Sequence, residues 1–398
     1  MNESTPWGNY EEYFQPVAGK VFAEDYNAEQ LGASINYFHG LNEFPDIDEI
    51  SPEIAIVGIG YDVGDLSAPL NDTPDAVRYW LYKLYAPTSH INMVDLGNFS
   101  VRTSLDECCN IFSKVISELL NRNIVPIVLG GGRELMYALY LAYARSGRFC
   151  NVCEVSPTLN FTGLSEILEA ENVLGRIMNE PDSFLFQFSN LGYQTYFTPP
   201  TLIRLFDGFY FDSMRLGELR KYMEDAEPIL RDAHCLSLDL SVVKRADAPN
   251  TNHGTSNGLF SDEVCRVTRY AGISSRLTSA GFFGLQPGLS FEAPDTHLMA
   301  QTVWHLLEGY CGRREETLDV TDPAYLHFIV TIPGAEPITF YKNQRNEKWW
   351  MGVPAAGKRS RQLELNEYLV PCSESDYSLA LKGEIPERWL KRFHQLND

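Results

Sequence analysis

A chain of 398 residues, 44% hydrophobic, 12% aromatic and 21% charged, has apolar material for one large core or two modest ones and argues against disorder. Its 32 Lys and Arg against 53 Asp and Glu leave a net charge of −21. Such a field repels phosphate backbones and anionic lipid, so no nucleic acid and no membrane is expected among its partners. Residues 1–7 carry neither a basic n-region nor an apolar h-region, and no stretch approaches the roughly 18 apolar residues that span a bilayer. The expectation is a soluble, cytoplasmic protein with reduced thiols at its eight cysteines.

Residues 1–50 are polar and aromatic, with short helical hints such as Ala28-Glu29-Gln30-Leu31, and read as an N-terminal arm. From Ile54 the texture changes. Residues 54–60 form a short apolar run ending in glycine, as in a strand buried on both faces of a parallel sheet. Pro74-Asp75-Ala76-Val77-Arg78 starts a helix, with proline and an acid where a first turn favours them. An apolar run at 91–97, a helix at 105–121 and a strand at 125–129 closed by Gly130-Gly131-Gly132 come next. The pattern continues with a helix at 134–144, a strand at 149–155, a helix at 165–178 and strands at 184–188 and 235–240. Such alternation predicts an α/β fold, a three-layer doubly wound parallel sheet with helices on both faces. Cys150 and Cys153 have C-x-x-C spacing, but within a strand they point to opposite faces and cannot converge on one metal.

The last part differs. After a helix at 302–310 and the charged stretch Arg313-Arg314-Glu315-Glu316, alternating runs at 326–332 and 338–342 flank Pro333-Gly334-Ala335-Glu336-Pro337, a hairpin pattern. Trp349-Trp350-Met351 and an amphipathic segment ending at Phe393 follow. The chain divides into an arm (1–50), a main domain (51–315) and a C-terminal β/α extension packed on it (316–398).

In open α/β sheets, ligands bind at the carboxyl ends of strands. There Gly130-Gly131-Gly132-Arg133-Glu134 and Ser237-Leu238-Asp239-Leu240-Ser241 resemble two motifs of the ureohydrolases, the arginase, agmatinase and formimidoylglutamase family. Pro74 to Arg78, Val94-Asp95-Leu96-Gly97, Ala248-Pro249, Asn257 to Glu263 and Gly281 to Pro287 resemble others, in the same order, so the resemblance covers about residues 54–312. It implies a fold whose histidines and aspartates bind two Mn(II) ions bridged by hydroxide, which attacks a guanidinium or formimino carbon.

The ligand positions depart from that pattern. Arg133 stands at the histidine of the first motif, and a guanidinium does not give up its proton to coordinate a cation. Ser156, Thr158 and Asn160 fall on the second motif, Ser241 replaces an aspartate of the third, and Gly284 falls on the substrate-clamping glutamate. Of the metal ligands only Asp239 remains, and a slip of register in the second motif rescues only Glu154. One carboxylate does not offset two divalent cations. The resemblance therefore implies Mn, while the residues predict no cofactor and no catalytic set.

Two arrangements of the former centre follow from charge balance. In one, the Arg133 guanidinium replaces the metal charge and pairs with Asp239. In the other, Arg133 points to solvent or to Glu134, and Asp239 caps a backbone amide. His234 reads as a packed residue, and His253 either overhangs the pocket or is an ordinary loop side chain. The glycines before the helix at 134 could receive an anion with help from Arg133. The tail and Ser189 to Gln194 resemble a divergent bacterial formimidoylglutamase-like branch, and the paired tryptophans are either a partner anchor or module packing.

The expected function is thus that of an inactive ureohydrolase-fold protein, a binding, sensing or assembly subunit. Its degenerate site would comprise Arg133, Glu134, Ser156, Thr158, Asn160, Asp239, Ser241, His253 and Gly284. Expected partners are a small cationic or amide metabolite, a protein held through the C-terminal extension, and further copies of the chain in a homo-oligomer. The alternative is a hydrolase of linear amidines with an altered metal site.

Overall fold

Short apolar runs that stop at glycine or at a polar turn are too brief for helices and suit strands covered on both faces. The computed structural model describes residues 10–22, 24–40, 44–60, 72–87, 91–101, 103–313, 320–357 and 366–397. Residues 1–7, read above for a targeting signal, and 314–316 of the charged stretch lie outside the described residues. Strands β1 (Phe14–Gln15), β2 (Asn36–Tyr37), β3 (Ile54–Ile59), β4 (Met93–Phe99), β5 (Val125–Leu129), β6 (Cys150–Val155), β7 (Leu185–Tyr193), β8 (Asp212–Arg215), β9 (Cys235–Asp239) and β10 (Ser279–Phe283) form a ten-stranded sheet. Its order is β1-β4-β3-β5-β10-β9-β6-β7-β8, with β2 also on β4. Every pairing is parallel except that of β1 with β4. The predicted arm thus adds β1 and β2 to one edge of the main sheet.

Helices α1 (Thr73–Leu81), α2 (Leu105–Asn121), α3 (Met136–Arg145), α4 (Val173–Met178), α5 (Pro200–Gly208), α6 (Leu216–Lys221), α7 (Ala226–Asp232), α8 (Ser261–Ile273) and α9 (Pro294–Cys311) complete this part. Val77, Val264 and Leu306 from α1, α8 and α9 cover one face, packing with Ile54 and Ile56 of β3. Phe112, Val115 and Leu139 from α2 and α3 cover the other, with Ala55 and Val57. Alternate residues of one strand thus feed opposite cores, giving the three layers expected. Fully buried Arg78 ties α1 to the sheet through Asp95 (2.6 Å) and the carbonyl of Gly97 (2.9 Å), and is steadied within the helix by Asp75 (2.9 Å).

Four readings need correction. The helix predicted at 165–178 shrinks to α4, because polar side chains upstream bond the backbone instead: Asn172 accepts from the Thr162 amide (2.8 Å), and Ser165 caps Ile167 (3.0 Å). Strand β7 runs beyond 188 to Tyr193, since its polar residues are buried rather than surface turn residues. Helix α9 begins at Pro294 rather than 302, with its proline in the first turn. The hint at 28–31 is a single 3-10 turn at Leu31–Ala33.

The tail forms a separate antiparallel sheet of β11 (Tyr325–Val330), β12 (Ile338–Asn343), β13 (Trp349–Pro354) and β14 (Glu367–Cys372), followed by α10 (Glu374–Leu381) and α11 (Glu387–Asn397). The hairpin around Pro333 is present. Both tryptophans are packed, Trp349 at 6% and Trp350 at 1% exposure, which leaves neither as a surface anchor. Arg231 of α7 lies over the Trp350 ring and donates to the carbonyls of Trp349 (3.1 Å) and Cys372 (3.0 Å). Buried Arg392 of α11 reaches Asp212 (3.4 Å) and Asp232 (3.5 Å) of the main sheet unit. No helix among the described residues is long and apolar enough to cross a membrane.

Removing Arg392 would take a buried ion-pair partner from Asp212 and one from Asp232, which keeps Arg276. Arg392→Ala is expected to cost about 3 kcal/mol, by analogy with broken buried pairs, read as a lower urea midpoint. An unchanged midpoint would show that this contact does not hold the module.

Candidate functional site

The parallel register brings four strand ends to one level. Leu129 of β5 lies beside Phe282 of β10, Phe283 beside Asp239 of β9, and Leu238 beside Val155 of β6. The residues that follow these positions therefore meet: Gly130 to Glu134, Gly284, Asp239 to Ser241, and Ser156 to Asn160. Gly130 and Gly131 have φ of +87° and +76°, a turn open to glycine without strain. It carries the chain from β5 into a 3-10 turn at Arg133–Leu135 and then α3.

Arg133 is 7% exposed and turned inward. Its Nη1 donates to Thr158 Oγ1 at 3.2 Å and lies 3.7 Å from Asp239 Oδ2. The other oxygen of Asp239 accepts from the Ser241 amide at 2.9 Å. The first arrangement is thus joined by the Asp239 half of the second: one oxygen caps the turn and the other faces the guanidinium, while Arg133 is buried and does not point to solvent. Gly284 has φ of +89°, and a Cβ there would lie 2.1 Å from Asp239 Oδ1. A glutamate at that position would collide with the aspartate.

Beyond Thr158 the contacts form a chain. Thr158 Oγ1 donates to Asn160 Oδ1 (2.8 Å), and Asn160 Nδ2 donates to Glu154 Oε1. Asn190 of β7 donates to Glu154 Oε2 (3.2 Å) and to the carbonyl of Thr158 (2.9 Å). Ser156 is wholly buried and donates to that same carbonyl (2.8 Å), so its hydroxyl serves the turn. The Ser241 hydroxyl is buried without a hydrogen-bond partner among the described residues.

Glu154, which the motif comparison reached only through a slip of register, is another buried acid of the site. Burial pushes its carboxyl up to about 7 and Asp239 adds to this, against the opposing pull of Arg133 and the amides of Asn160 and Asn190. A lone acid near the end of an otherwise apolar strand was the available signal. Glu169 and Glu171 were missed. They sit in the segment before α4 and line a cavity of about 490 Å³ with Gly131, Gly132, Glu134 and His253. Glu171 lies 3.6 Å from Arg133 Nη2. His253 is exposed at the cavity wall, while His234 is packed: its Nδ1 accepts from the Asn151 amide (2.9 Å), and burial, aided by Arg276, pushes its pKa down to about 4. Cys150 and Cys153 point into opposite cores as free thiols that burial pushes up.

A pair of divalent cations does not fit this donor set. The converging groups are a guanidinium, a threonine hydroxyl, an asparagine amide, one aspartate engaged by the Ser241 amide, Glu154 bonded by the amides of Asn160 and Asn190, and an exposed Glu171 facing the guanidinium, whereas hard cations need several free carboxylate or imidazole donors and no cation among them. Among the described residues no group of three or more His, Cys, Asp or Glu is placed to hold a metal ion.

Residues 52–167 match the family model described as the arginase family. The formimidoylglutamase of Clostridium tetani is 42% identical over 55 residues, which are 14% of this chain and 16% of that protein. The chain thus matches about a sixth of that curated relative. Over longer spans the likeness is one of fold. The formiminoglutamase of Trypanosoma cruzi with Mn2+ superposes with a TM-score of 0.62 at 20% identity, covering 72% of this chain and 99% of that one. The formimidoylglutamase of Bacillus subtilis gives 0.61 at 16% identity, covering 76% and 98%.

The raised carboxyl of Glu154 has a consequence for stability. A carboxyl that ionises at about 7 in the folded state and near 4.3 when unfolded holds its proton more tightly in the folded chain, so its contribution is full below about pH 4 and is lost as pH rises toward 7. The stability of the wild type relative to Glu154→Gln is expected to fall by roughly 3 kcal/mol between about pH 4 and pH 8. Urea melts of both proteins across that range measure it, and parallel pH profiles would contradict it.

Proposed function

We propose that the chain, whose residues 52–167 match the arginase family model and whose fold resembles formimidoylglutamases, binds a small polar metabolite at the strand ends without metal-hydroxide hydrolysis. The observation that carries this reading is the Arg133 guanidinium 3.7 Å from Asp239. It places a fixed positive charge among the strand ends where the resemblance implies metal ions. Such a charge repels divalent cations and offers no route to lowering the pKa of water, which is what a bound metal contributes to hydrolysis. The adjoining cavity of about 490 Å³ is of a size for small molecules.

A second reading, hydrolysis of a linear amidine or formimino compound by an altered centre, is favoured by two observations. Relatives and structural neighbours are formimidoylglutamases by name. Buried Glu154, held near neutrality, is also the kind of carboxylate that can exchange a proton at working pH. Subunit assembly and a protein partner on the C-terminal extension stay proposals alongside either reading.

Assay of the purified protein with formiminoglutamate, arginine and agmatine, with and without added Mn(II), separates the two. The binding reading expects no ammonia, formamide or urea above the no-enzyme control. Turnover that Glu154→Gln abolishes would establish the hydrolase in its place.

A further inference from the structure

Arg133 is under-bonded for a buried guanidinium. Of its five N–H donors, Nη1 alone makes a hydrogen bond among the described residues, to Thr158 Oγ1 at 3.2 Å. Asp239 at 3.7 Å and Glu171 at 3.6 Å lie within ion-pair reach but beyond hydrogen-bond length. Its Nε is buried with no partner. A buried charged donor left unmatched is costly, and the group that best satisfies a planar guanidinium is a carboxylate gripping two of its N–H groups at once.

Glu171 is a weak occupant of that role. Its side chain is 61% exposed, and it sits in the segment between β6 and α4 that has no regular secondary structure and forms one wall of the cavity. A carboxylate held at 3.6 Å by one contact can be displaced by one that approaches through the cavity and bonds properly. With Glu171 moved aside, Glu134 and Glu169 still line the cavity and favour a cationic group in it.

We propose that Arg133 is a carboxylate receptor and that the pocket takes a small zwitterion, with its carboxylate on Arg133 in place of Glu171 and its amine or amidine toward Glu134 and Glu169. This deepens the binding reading above and rests on it. It also fixes the direction of the ligand: the anionic end goes to the strand ends, because a cation there would meet the Arg133 charge.

Isothermal titration with two matched probes tests the idea. Guanidinobutyrate carries a guanidinium and a carboxylate, whereas agmatine keeps the guanidinium and has an ammonium where the carboxylate was. The expected result is roughly tenfold or greater preference for guanidinobutyrate, tighter binding of it by Glu171→Gln, and loss of that preference in Arg133→Met. Glu171→Gln changes an exposed side chain, so its result stands even if Arg133→Met fails to fold. Equal or tighter binding of agmatine, weaker binding by Glu171→Gln, or no binding of guanidinobutyrate by either protein would overturn the proposal. Agmatine binding alone would leave a ligand pocket and remove only the carboxylate receptor, while hydrolysis of either probe with Mn(II) would remove the binding reading itself.

Discussion

Asp239 ends a strand that is covered on both faces, 2% exposed, and a carboxylate in that position is stable only if its charge is met. In this molecule the charge is met from two sides, by the Ser241 amide and by Arg133, which follows β5 on the far side of β10. Much of the local structure follows from that constraint. Gly284 has to lack a side chain because the space beside it is filled by Asp239. Arg133 has to stay inside, so the glycine turn that delivers it bends sharply, and Thr158 is drawn to its Nη1. Thr158 in turn orders Asn160, and Asn160 with Asn190 cages Glu154. One cation thus organises two buried acids and the turn between them.

The same arrangement separates what a scaffold keeps from what a reaction needs. The fold persists through the likeness to formimidoylglutamases at 16 to 20% identity. Metal binding depends on the identity of a few side chains at the strand ends. A fold tolerates change there as long as charge stays balanced, and Arg133 sets a positive charge beside Asp239.

The sheet and its strand ends were legible because buried parallel strands leave continuous apolar runs and their turns leave glycines. The meeting of Arg133 with Asp239 was legible only as one of two arrangements, resting on charge balance, because β10 lies between the strands that carry them. Less could be read where polar residues are buried. Asn190 and its neighbours interrupt the apolar pattern of β7, so the strand read as ending at 188, yet they are inside because Glu154 needs their amides. Glu171 was illegible for another reason: its position against Arg133 is set by an irregular segment, whose path no periodicity encodes. The tail was legible as a hairpin, but its attachment through Arg231 and Arg392 depends on contacts distant in sequence.

The central claim is that a guanidinium occupies the electrostatic role of metal ions at these strand ends. A titration of the wild-type protein with Mn(II), followed by the electron paramagnetic resonance of the free aquated ion, tests it most directly. The account predicts that the free-ion signal rises as it does in buffer alone. A signal suppressed until one or two equivalents have been added, and restored in Asp239→Asn, would contradict it.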